Sequence, residues 1–326
     1  MFRKPGGKKT GLKFLVIGRS GVGKTVFALS APKVAILDAE TGAHLYEDKE
    51  EGRNLVGVSN TQSFEDLAEA LEEILEDHED MGVESVVIDS ETKFFNDINQ
   101  TVIYIEEKKA KAKGKDPLDS QLSIRSYGII GRKAEELQNL KIDVSAAGVN
   151  VISIAQETDV TKFDMKSGTS EVIGTKPKMK KEAEFDYDIV LTLFTEGDVD
   201  KGEEVKYFAK VNKDRSKTFK RNDIIENPTF DLWRKTSDSM KDKSALGTTF
   251  AKDGERSREE YQKEVEEEDM TIQQRIAKFV KVIKEEDAEK FKEFQEGLKE
   301  LGIKSVAKMT AKQEQAVVEL MKEFSK

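Results

Sequence analysis

The sequence predicts an α/β protein whose central sheet is mostly parallel, followed by a small all-α domain near the C-terminal end. Short apolar runs alternate with segments of helical periodicity, which is typical of a parallel sheet covered by helices. The last predicted strands follow one another without helices between them, which favours an antiparallel extension of the sheet. Apolar residues at helical spacing beyond residue 270 predict the all-α domain.

The predicted strands are short and rich in β-branched and aliphatic residues. They begin with "LKFLVI" at 12–17, "KVAILDAE" at 33–40 and "ESVVIDS" at 84–90. Later strands are predicted in "VNVISIAQ", "DIVLTLF", "EVKYFAKV" and "TFDLW". A short helix is expected from Lys24 to about Ser30, because the residue before Pro32 is disfavoured in a helix.

Residues 63–82 predict an amphipathic helix with both of its ends marked. Ser63 is suited to cap the N-terminus, and Gly82 is suited to end the helix. Two further helix starts have capping-box spacing, Thr271 with Gln274 and Thr310 with Gln313. The buried stripe of the first helix is predicted to contain Phe64, Leu67, Leu71, Ile74 and Leu75.

These patterns divide the chain into four predicted segments. Residues 1–11 form a basic N-terminal arm, and residues 12–235 form the α/β domain. Residues 236–269 are polar, charged and aperiodic, which predicts a flexible linker. Residues 270–326 form the helical C-terminal domain.

Composition excludes several classes of protein. The chain contains no cysteine, which excludes disulfides and thiolate metal sites and fits a reducing cytoplasm. It has no apolar run long enough to span a membrane, so no membrane partner is expected. The net charge of −10 argues against a nucleic-acid partner, but salt screens distant charges and local basic segments such as 206–221 matter more.

One contiguous motif carries the strongest functional signal. "GRSGVGKT" at 18–25 matches the phosphate-binding loop of P-loop nucleotide hydrolases, and it lies between a predicted strand and a predicted helix. In such a loop, backbone N–H groups surround the phosphates, the lysine reaches the β- and γ-phosphates, and the threonine hydroxyl holds Mg²⁺. The expected cofactors are therefore ATP and Mg²⁺. The predicted cradle consists of Gly18, Arg19, Ser20, Gly21, Val22, Gly23, Lys24, Thr25 and Val26.

Carboxylates at predicted strand ends complete the hydrolytic site. Asp89 ends a predicted strand and is expected to hold Mg²⁺ together with Thr25. In P-loop hydrolases, a carboxylate at the end of a strand that neighbours the loop has this role. Either Glu40 or Glu91 could position the attacking water. Ser90 stands where an adjacent second acid is common, which favours Glu40. Asp38 is expected to have a structural role.

The segments "AILDAE", "VVIDS" and "ISIAQ" resemble, in order and spacing, three motifs of RecA-like recombinases. The resemblance covers about residues 10–235 and is greatest to compact RecA-like ATPases of bacteriophages, a group associated with single-strand annealing. It implies a RecA-like P-loop NTPase fold, and it implies that the protein is located in the cytoplasm of a bacterial host. It also implies that Glu40 activates water, Asp89 handles Mg²⁺ and Gln156 senses the γ-phosphate. By its sequence alone, Gln156 is only a polar residue at a strand end.

The same resemblance implies single-stranded DNA as a partner, bound by a mobile loop after Gln156. A second DNA loop is implied at 106–116, where a plain charged run is the stronger interpretation. The first segment could equally be a solvated excursion of the chain. The candidate DNA-contacting residues are Lys162, Lys166, Lys176, Lys178, Lys180 and Lys181.

RecA-like proteins also carry cations that reach the nucleotide of a neighbouring subunit, and Lys210, Lys213 and Arg215 lie at about that place. This implies a homo-oligomer, either a ring or a filament. The alternative is a basic hairpin edge that discourages strand pairing.

Two functional hypotheses follow. In the first, the chain is an ATPase that acts on single-stranded DNA in phage recombination or replication. In the second, it is a nucleotide-gated interaction protein such as a helicase loader, with the C-terminal helices binding a replisome or single-strand-binding protein. A small-molecule kinase is a weaker third alternative.

Overall fold

A computed structural model of the chain describes residues 2–119, 121–164, 168–197, 203–239, 243–269, 272–286, 288–303 and 309–324. The chain divides into two compact units, Met1–Ala251 and Lys252–Lys326. The first unit contains the predicted α/β domain, but it extends past residue 235, where that domain was expected to end.

Among its described residues, the first unit is built on a nine-stranded sheet. Most of the sheet is parallel: β8, β2, β6, β5, β3 and β4 lie side by side in that order. At one edge β9 and then β10 continue the sheet antiparallel, and β7 pairs antiparallel with β6, so the predicted antiparallel extension is confirmed. The strands are β1 Lys8–Lys9, β2 Lys13–Gly18, β3 Val34–Asp38, β4 Leu55–Ser59, β5 Ser85–Asp89, β6 Asn150–Asp164, β7 Thr169–Pro177, β8 Ile189–Glu196, β9 Lys206–Asp214, β10 Ile224–Glu226 and β11 Ser244–Ala245.

Helices cover the sheet on both faces, as expected for a buried parallel sheet. Alternate residues of the central strands belong to separate apolar clusters. One contains Phe14, Phe27 and Trp233, a second contains Phe64 and Phe94, and a third contains Leu15 and Tyr187. The helices of the first unit are α1 Lys24–Leu29, α2 Phe64–Asp77, α3 Glu91–Ala112, α4 Ile124–Ala147 and α5 Asp231–Asp238. The helices that follow in the chain are α6 Phe250–Asp269, α7 Ile272–Glu286, α8 Ala288–Glu300 and α9 Ala311–Phe324.

The helix predicted over 63–82 forms but is shorter than expected, because it ends at Asp77 with His78 as its C-cap and Gly82 does not end it. Ser63 is its N-cap and accepts a hydrogen bond from the Asp66 amide, and Gly82 beyond its end has a φ of 67°. Of the predicted stripe, Leu75 is partly buried and the other four residues are buried, namely Phe64, Leu67, Leu71 and Ile74. Local sequence determines this helix because both its caps and its apolar stripe lie within it.

The prediction of a strand at 229–233 is wrong, because this segment enters helix α5. Phe230 and Trp233 are three residues apart, so a helical turn directs both into the core, where neither is exposed. Trp233 packs edge-on against Phe14 with ring centroids 5.4 Å apart, and its indole N–H donates to Asp214 at 3.0 Å.

Residues 236–269 contain regular structure where the sequence suggested an aperiodic segment. β11 pairs in parallel with β1 of the N-terminal arm. The Asp143 carboxylate on α4 then accepts hydrogen bonds from Thr248 and from the amides of Phe250 and Ala251 at the start of α6. A distant acid therefore satisfies the N-terminal amides of α6, and no local sequence pattern reveals such a cap.

The second unit contains the three predicted C-terminal helices, α7 to α9. Ile276, Ile283, Phe294 and Val317 are buried in it. The predicted capping box at Thr310 is confirmed, since its amide donates to Gln313 Oε1 at 3.1 Å and the Gln313 amide donates to Thr310 Oγ1 at 3.4 Å. Thr271 lies outside the described residues. Within the described part of the chain, no helix is both long enough and apolar enough for a membrane crossing.

Candidate functional site

The phosphate-binding loop connects β2 to α1 at the carboxyl edge of the parallel sheet. Gly18 ends β2, and an added Cβ there would stand 2.7 Å from the Leu193 carbonyl oxygen. Gly23 has a φ of 87°, a conformation that glycine adopts without strain. The Lys24 ammonium folds back over the loop and donates to the Arg19 carbonyl at 2.6 Å. Close packing and left-handed backbone therefore both require glycine in this loop.

A cavity of about 980 Å³ opens above this loop, near the upper end of the size range of ligand sites. Its position at the carboxyl ends of parallel strands is where α/β folds bind ligands. All nine predicted cradle residues line it, namely Gly18, Arg19, Ser20, Gly21, Val22, Gly23, Lys24, Thr25 and Val26. Glu40, Asp89 and Gln156 line the same cavity.

Thr25 and Asp89 meet in the cavity as expected of a metal-binding pair, since the Thr25 hydroxyl donates to Asp89 Oδ2 at 2.7 Å. Asp89 does not end a strand next to the loop, because β6 lies between β5 and β2. Burial raises the pKa of Asp89 to about 6, and nearby Glu40 adds to the rise, while the Thr25 hydrogen bond and Lys24 oppose it. Burial also lowers the pKa of Lys24, against the pull of Asp89 and Glu40.

This pair fits a magnesium ion bound together with nucleotide. Among the described residues, no group of three or more histidine, cysteine, aspartate or glutamate side chains could hold a metal ion by itself. Mg²⁺ in nucleotide sites needs only one or two protein oxygens, because phosphates and waters complete its octahedron.

Glu40 is held in the cavity by two donors. Ser90 Oγ and Gln156 Nε2 both donate to Glu40 Oε1, each at 2.8 Å. Asp38 has the expected structural role, because its carboxylate accepts from the amides of Glu40 at 3.0 Å and Ala43 at 2.7 Å and so shapes the turn that carries Glu40.

Glu91, the alternative to Glu40, does not line the cavity. Its side chain is buried and accepts hydrogen bonds from Lys141 Nζ and from the Tyr187 hydroxyl, both at 2.7 Å. Burial alone favours the neutral acid, but the adjacent Lys141 ammonium and these hydrogen bonds outweigh it and lower the pKa of Glu91. Glu91 is therefore an ionised structural residue, whereas Glu40 lines the cavity.

Comparison with known protein families agrees with this geometry. Residues 10–220, more than half of the chain, match the AAA domain. The chain belongs to the AAA domain family. Membership of this family indicates a nucleotide-binding P-loop ATPase, and ATPases of this class usually use Mg²⁺. No curated protein matches the chain.

Lys213 and Arg215 lie away from the cavity of their own AAA domain. Lys213 Nζ donates to the carbonyls of Glu184 at 2.9 Å and Phe185 at 3.1 Å, and Arg215 donates to the same Phe185 carbonyl at 3.1 Å. Burial lowers the pKa of Lys213, and the neighbouring Arg215 lowers it further. Their role at a neighbouring subunit stays a prediction.

The segment after Gln156 is a β-hairpin of the AAA domain, formed by the outer part of β6 and by β7, where an irregular loop was expected. Lys162 and Lys176 lie on its exposed strands, and Lys178 lies just beyond it. Lys180 forms an ion pair with Glu135, and Lys181 is exposed. Lys166 lies outside the described residues. Residues 106–112, the start of the other implied loop, form the end of α3.

Several residues that line the cavity were not predicted as site residues, and Ser90 and Tyr207 are two of them. The sequence drew attention to Ser90 only because it stands where a second acid is common. In the structure its hydroxyl donates to Glu40. Tyr207 lines the cavity, with a ring carbon 3.4 Å from where a Gly23 Cβ would stand. Its position as the second residue of β9 gives no sequence signal, because strand pairing alone brings it to the loop.

Proposed function

We propose that this chain is a Mg²⁺-dependent, RecA-like ATPase that acts on single-stranded DNA and hydrolyses ATP between subunits. One observation carries the proposal: a single cavity gathers the phosphate loop, Lys24, the Thr25–Asp89 pair and the Glu40–Gln156 pair. These are the parts that phosphoryl transfer to water requires.

Each group has a distinct part in hydrolysis. The loop amides and Lys24 bind the phosphates and balance the charge that develops on them. Thr25 and Asp89 would hold Mg²⁺, which would supply positive charge to stabilise the transferred phosphoryl group. Glu40 accepts two hydrogen bonds at Oε1, so its orientation is fixed and Oε2 can accept a proton from the attacking water. Gln156, beside Glu40, responds to occupation of the γ-phosphate position.

The proposal of single-stranded DNA as substrate rests on the hairpin that begins next to Gln156. Pairing of Thr161 with Val172 places Phe163 and Val172 on one face, and both side chains are more than half exposed. Exposed aromatic and apolar groups beside lysines suit base stacking and phosphate contact along a single strand. Lys162 and Lys176 supply charge on the same hairpin.

ATP binding between subunits is proposed from Lys213 and Arg215. Both donate to main-chain carbonyls, and neither is among the described residues that line the cavity of their own chain. A cation supplied in trans accelerates phosphoryl transfer by about 10³ to 10⁵. We therefore propose a ring or filament in which assembly activates hydrolysis.

The second candidate, a nucleotide-gated interaction protein, is favoured by one observation. Lys252–Lys326 is a compact unit with its own buried residues, such as Phe294 and Val317. Such a unit can bind a replisome or single-strand-binding protein, while ATP sets the conformation of the AAA domain.

The proposal is tested by ATP-binding calorimetry and by ATP turnover at increasing protein concentration, with and without single-stranded DNA. We expect ATP binding, turnover that rises faster than linearly with concentration, and further stimulation by DNA. Lys24→Ala should abolish binding and turnover. Turnover that is strictly proportional to concentration and indifferent to DNA refutes the DNA and intersubunit parts. Failure to bind ATP refutes the whole proposal.

A further inference from the structure

Thr92 is a buried polar residue for which the hydrolytic steps above have no use. It is the second residue of α3, three positions after Asp89, and it is completely buried. Its hydroxyl makes two hydrogen bonds in opposite senses: Oγ1 donates to the Lys178 carbonyl at 2.8 Å and accepts from the Gln156 amide at 2.9 Å. Both contacts join α3 to segments more than sixty residues away in the chain.

Those two partners are the two ends of the β6–β7 hairpin. Strand pairing in the hairpin begins with Glu157 opposite Pro177, one residue inside Gln156 and Lys178. The Lys178 amide also donates to the Gln156 carbonyl at 2.8 Å. Thr92 therefore completes a ring of three hydrogen bonds that closes the hairpin at its root and fixes it to α3.

The same ring determines the position of a cavity group. The Gln156 side chain donates to Glu40 Oε1. Thr92 holds the backbone amide of the same residue, so it fixes the point from which this side chain extends. Ser90, two residues before Thr92, holds the same oxygen of Glu40. A continuous set of hydrogen bonds thus connects the hairpin root with the acid that faces the attacking water.

We infer that Thr92 is a positioning residue for ATP hydrolysis: its hydroxyl fixes Gln156, and through Gln156 the orientation of Glu40, to the root of the hairpin. This inference rests on the proposed ATPase function of the cavity. It makes the hairpin and the hydrolytic acid parts of one hydrogen-bonded unit, so a shift of either changes the position of the other.

The test compares Thr92→Val with Thr92→Ser and with a matched control. Valine keeps the shape of threonine but lacks its hydroxyl, whereas serine keeps the hydroxyl. We expect Thr92→Val to lower kcat by about 10- to 10²-fold, since small misplacements of catalytic groups cost this much, without changing KM for ATP. Thr92→Ser should restore most of kcat.

The matched control is Ser145→Ala. Ser145 is also buried and donates its hydroxyl to a main-chain carbonyl, that of Gly11 at 2.8 Å, but neither residue lines the cavity. It should lower the melting temperature as Thr92→Val does and leave kcat unchanged. Amide hydrogen exchange supplies a readout independent of turnover: exchange at Gln156 should accelerate in Thr92→Val and in neither of the other variants.

The outcomes separate the inference from the proposed function. A wild-type chain that binds ATP but does not hydrolyse it overturns both. Hydrolysis by Thr92→Val at the wild-type kcat, or an equal loss in Ser145→Ala, overturns only the role of Thr92. If Thr92→Val does not fold, Thr92→Ala removes the same hydroxyl and gives the same comparison.

Discussion

Replacing Glu40 by glutamine should stop hydrolysis while leaving ATP binding intact. Glu40 Oε1 accepts hydrogen bonds from Ser90 and Gln156, each at 2.8 Å, and a glutamine oxygen at the same place can accept both. The side chain therefore keeps its position and loses only its ability to accept a proton. General-base catalysis contributes about 10² to 10⁴ in rate, so kcat should fall by that factor, equivalent to about 3–5 kcal/mol.

Glu91→Gln is the matched control, because Glu91 is the other acid that the sequence left open. Its Oε2 lies 2.7 Å from Lys141 Nζ in a buried ion pair. Removing one partner of a buried pair costs about 3–5 kcal/mol of stability, and we expect the lower end because glutamine can still accept from the Tyr187 hydroxyl. The expected result is a lower melting temperature and an unchanged kcat per folded molecule.

The assay is steady-state ATP hydrolysis at saturating protein concentration, with nucleotide affinity from calorimetry and melting temperature from circular dichroism. Glu40→Gln should differ from wild type only in kcat, and Glu91→Gln mainly in melting temperature. The opposite pattern, with Glu40→Gln turning over normally and Glu91→Gln inactive at the wild-type melting temperature, would refute the assignment of Glu40.

Further outcomes follow from the same structure. Because the pKa of Asp89 is raised to about 6, kcat/KM should fall as the pH drops below that value, and Asp89→Asn should lack this limb of the profile. The same rise means that the folded chain keeps a proton which the unfolded chain has released. Relative to Asp89→Asn, the nucleotide-free wild type should therefore lose stability as the pH rises from the ordinary aspartate pKa towards about 6, and an opposite slope in urea melts would contradict the raised pKa. Changing both Lys213 and Arg215 to alanine should lower assembled turnover by about 10³- to 10⁵-fold and remove its dependence on protein concentration, and unchanged kinetics would exclude an intersubunit role. If about five lysines contact phosphates, the slope of log affinity for single-stranded DNA against log salt should be about −3.5, and affinity that does not change with salt would exclude these contacts. A chain that ends at Ala251 should keep DNA stimulation, whereas loss of a partner protein from pull-downs, with ATP binding intact, would favour the interaction-protein alternative.

The phosphate-binding loop and several helices could be predicted because everything that determines them is close together in the chain. The loop is one contiguous motif, and the helix α2 contains both its stripe and its caps. The choice between Glu40 and Glu91 could not be made in the same way, since both follow strand ends. It depended on which acid faces the cavity and which faces Lys141, and Lys141 lies fifty residues from Glu91.

By itself, the sequence determined that a glycine-rich turn between a buried strand and a helix presents Lys24 and Thr25, because eight consecutive residues impose that backbone. Only the tertiary structure decided what surrounds them. Glu40, Asp89 and Gln156 meet because β3, β5 and β6 are parallel neighbours: β3 and β5 end at the edge of the sheet where β6 continues into the hairpin. The cap that Asp143 provides for α6 and the hairpin root that Thr92 closes likewise depend on hydrogen bonds between distant segments. Chain folding creates those contacts, and no local periodicity or composition can encode them.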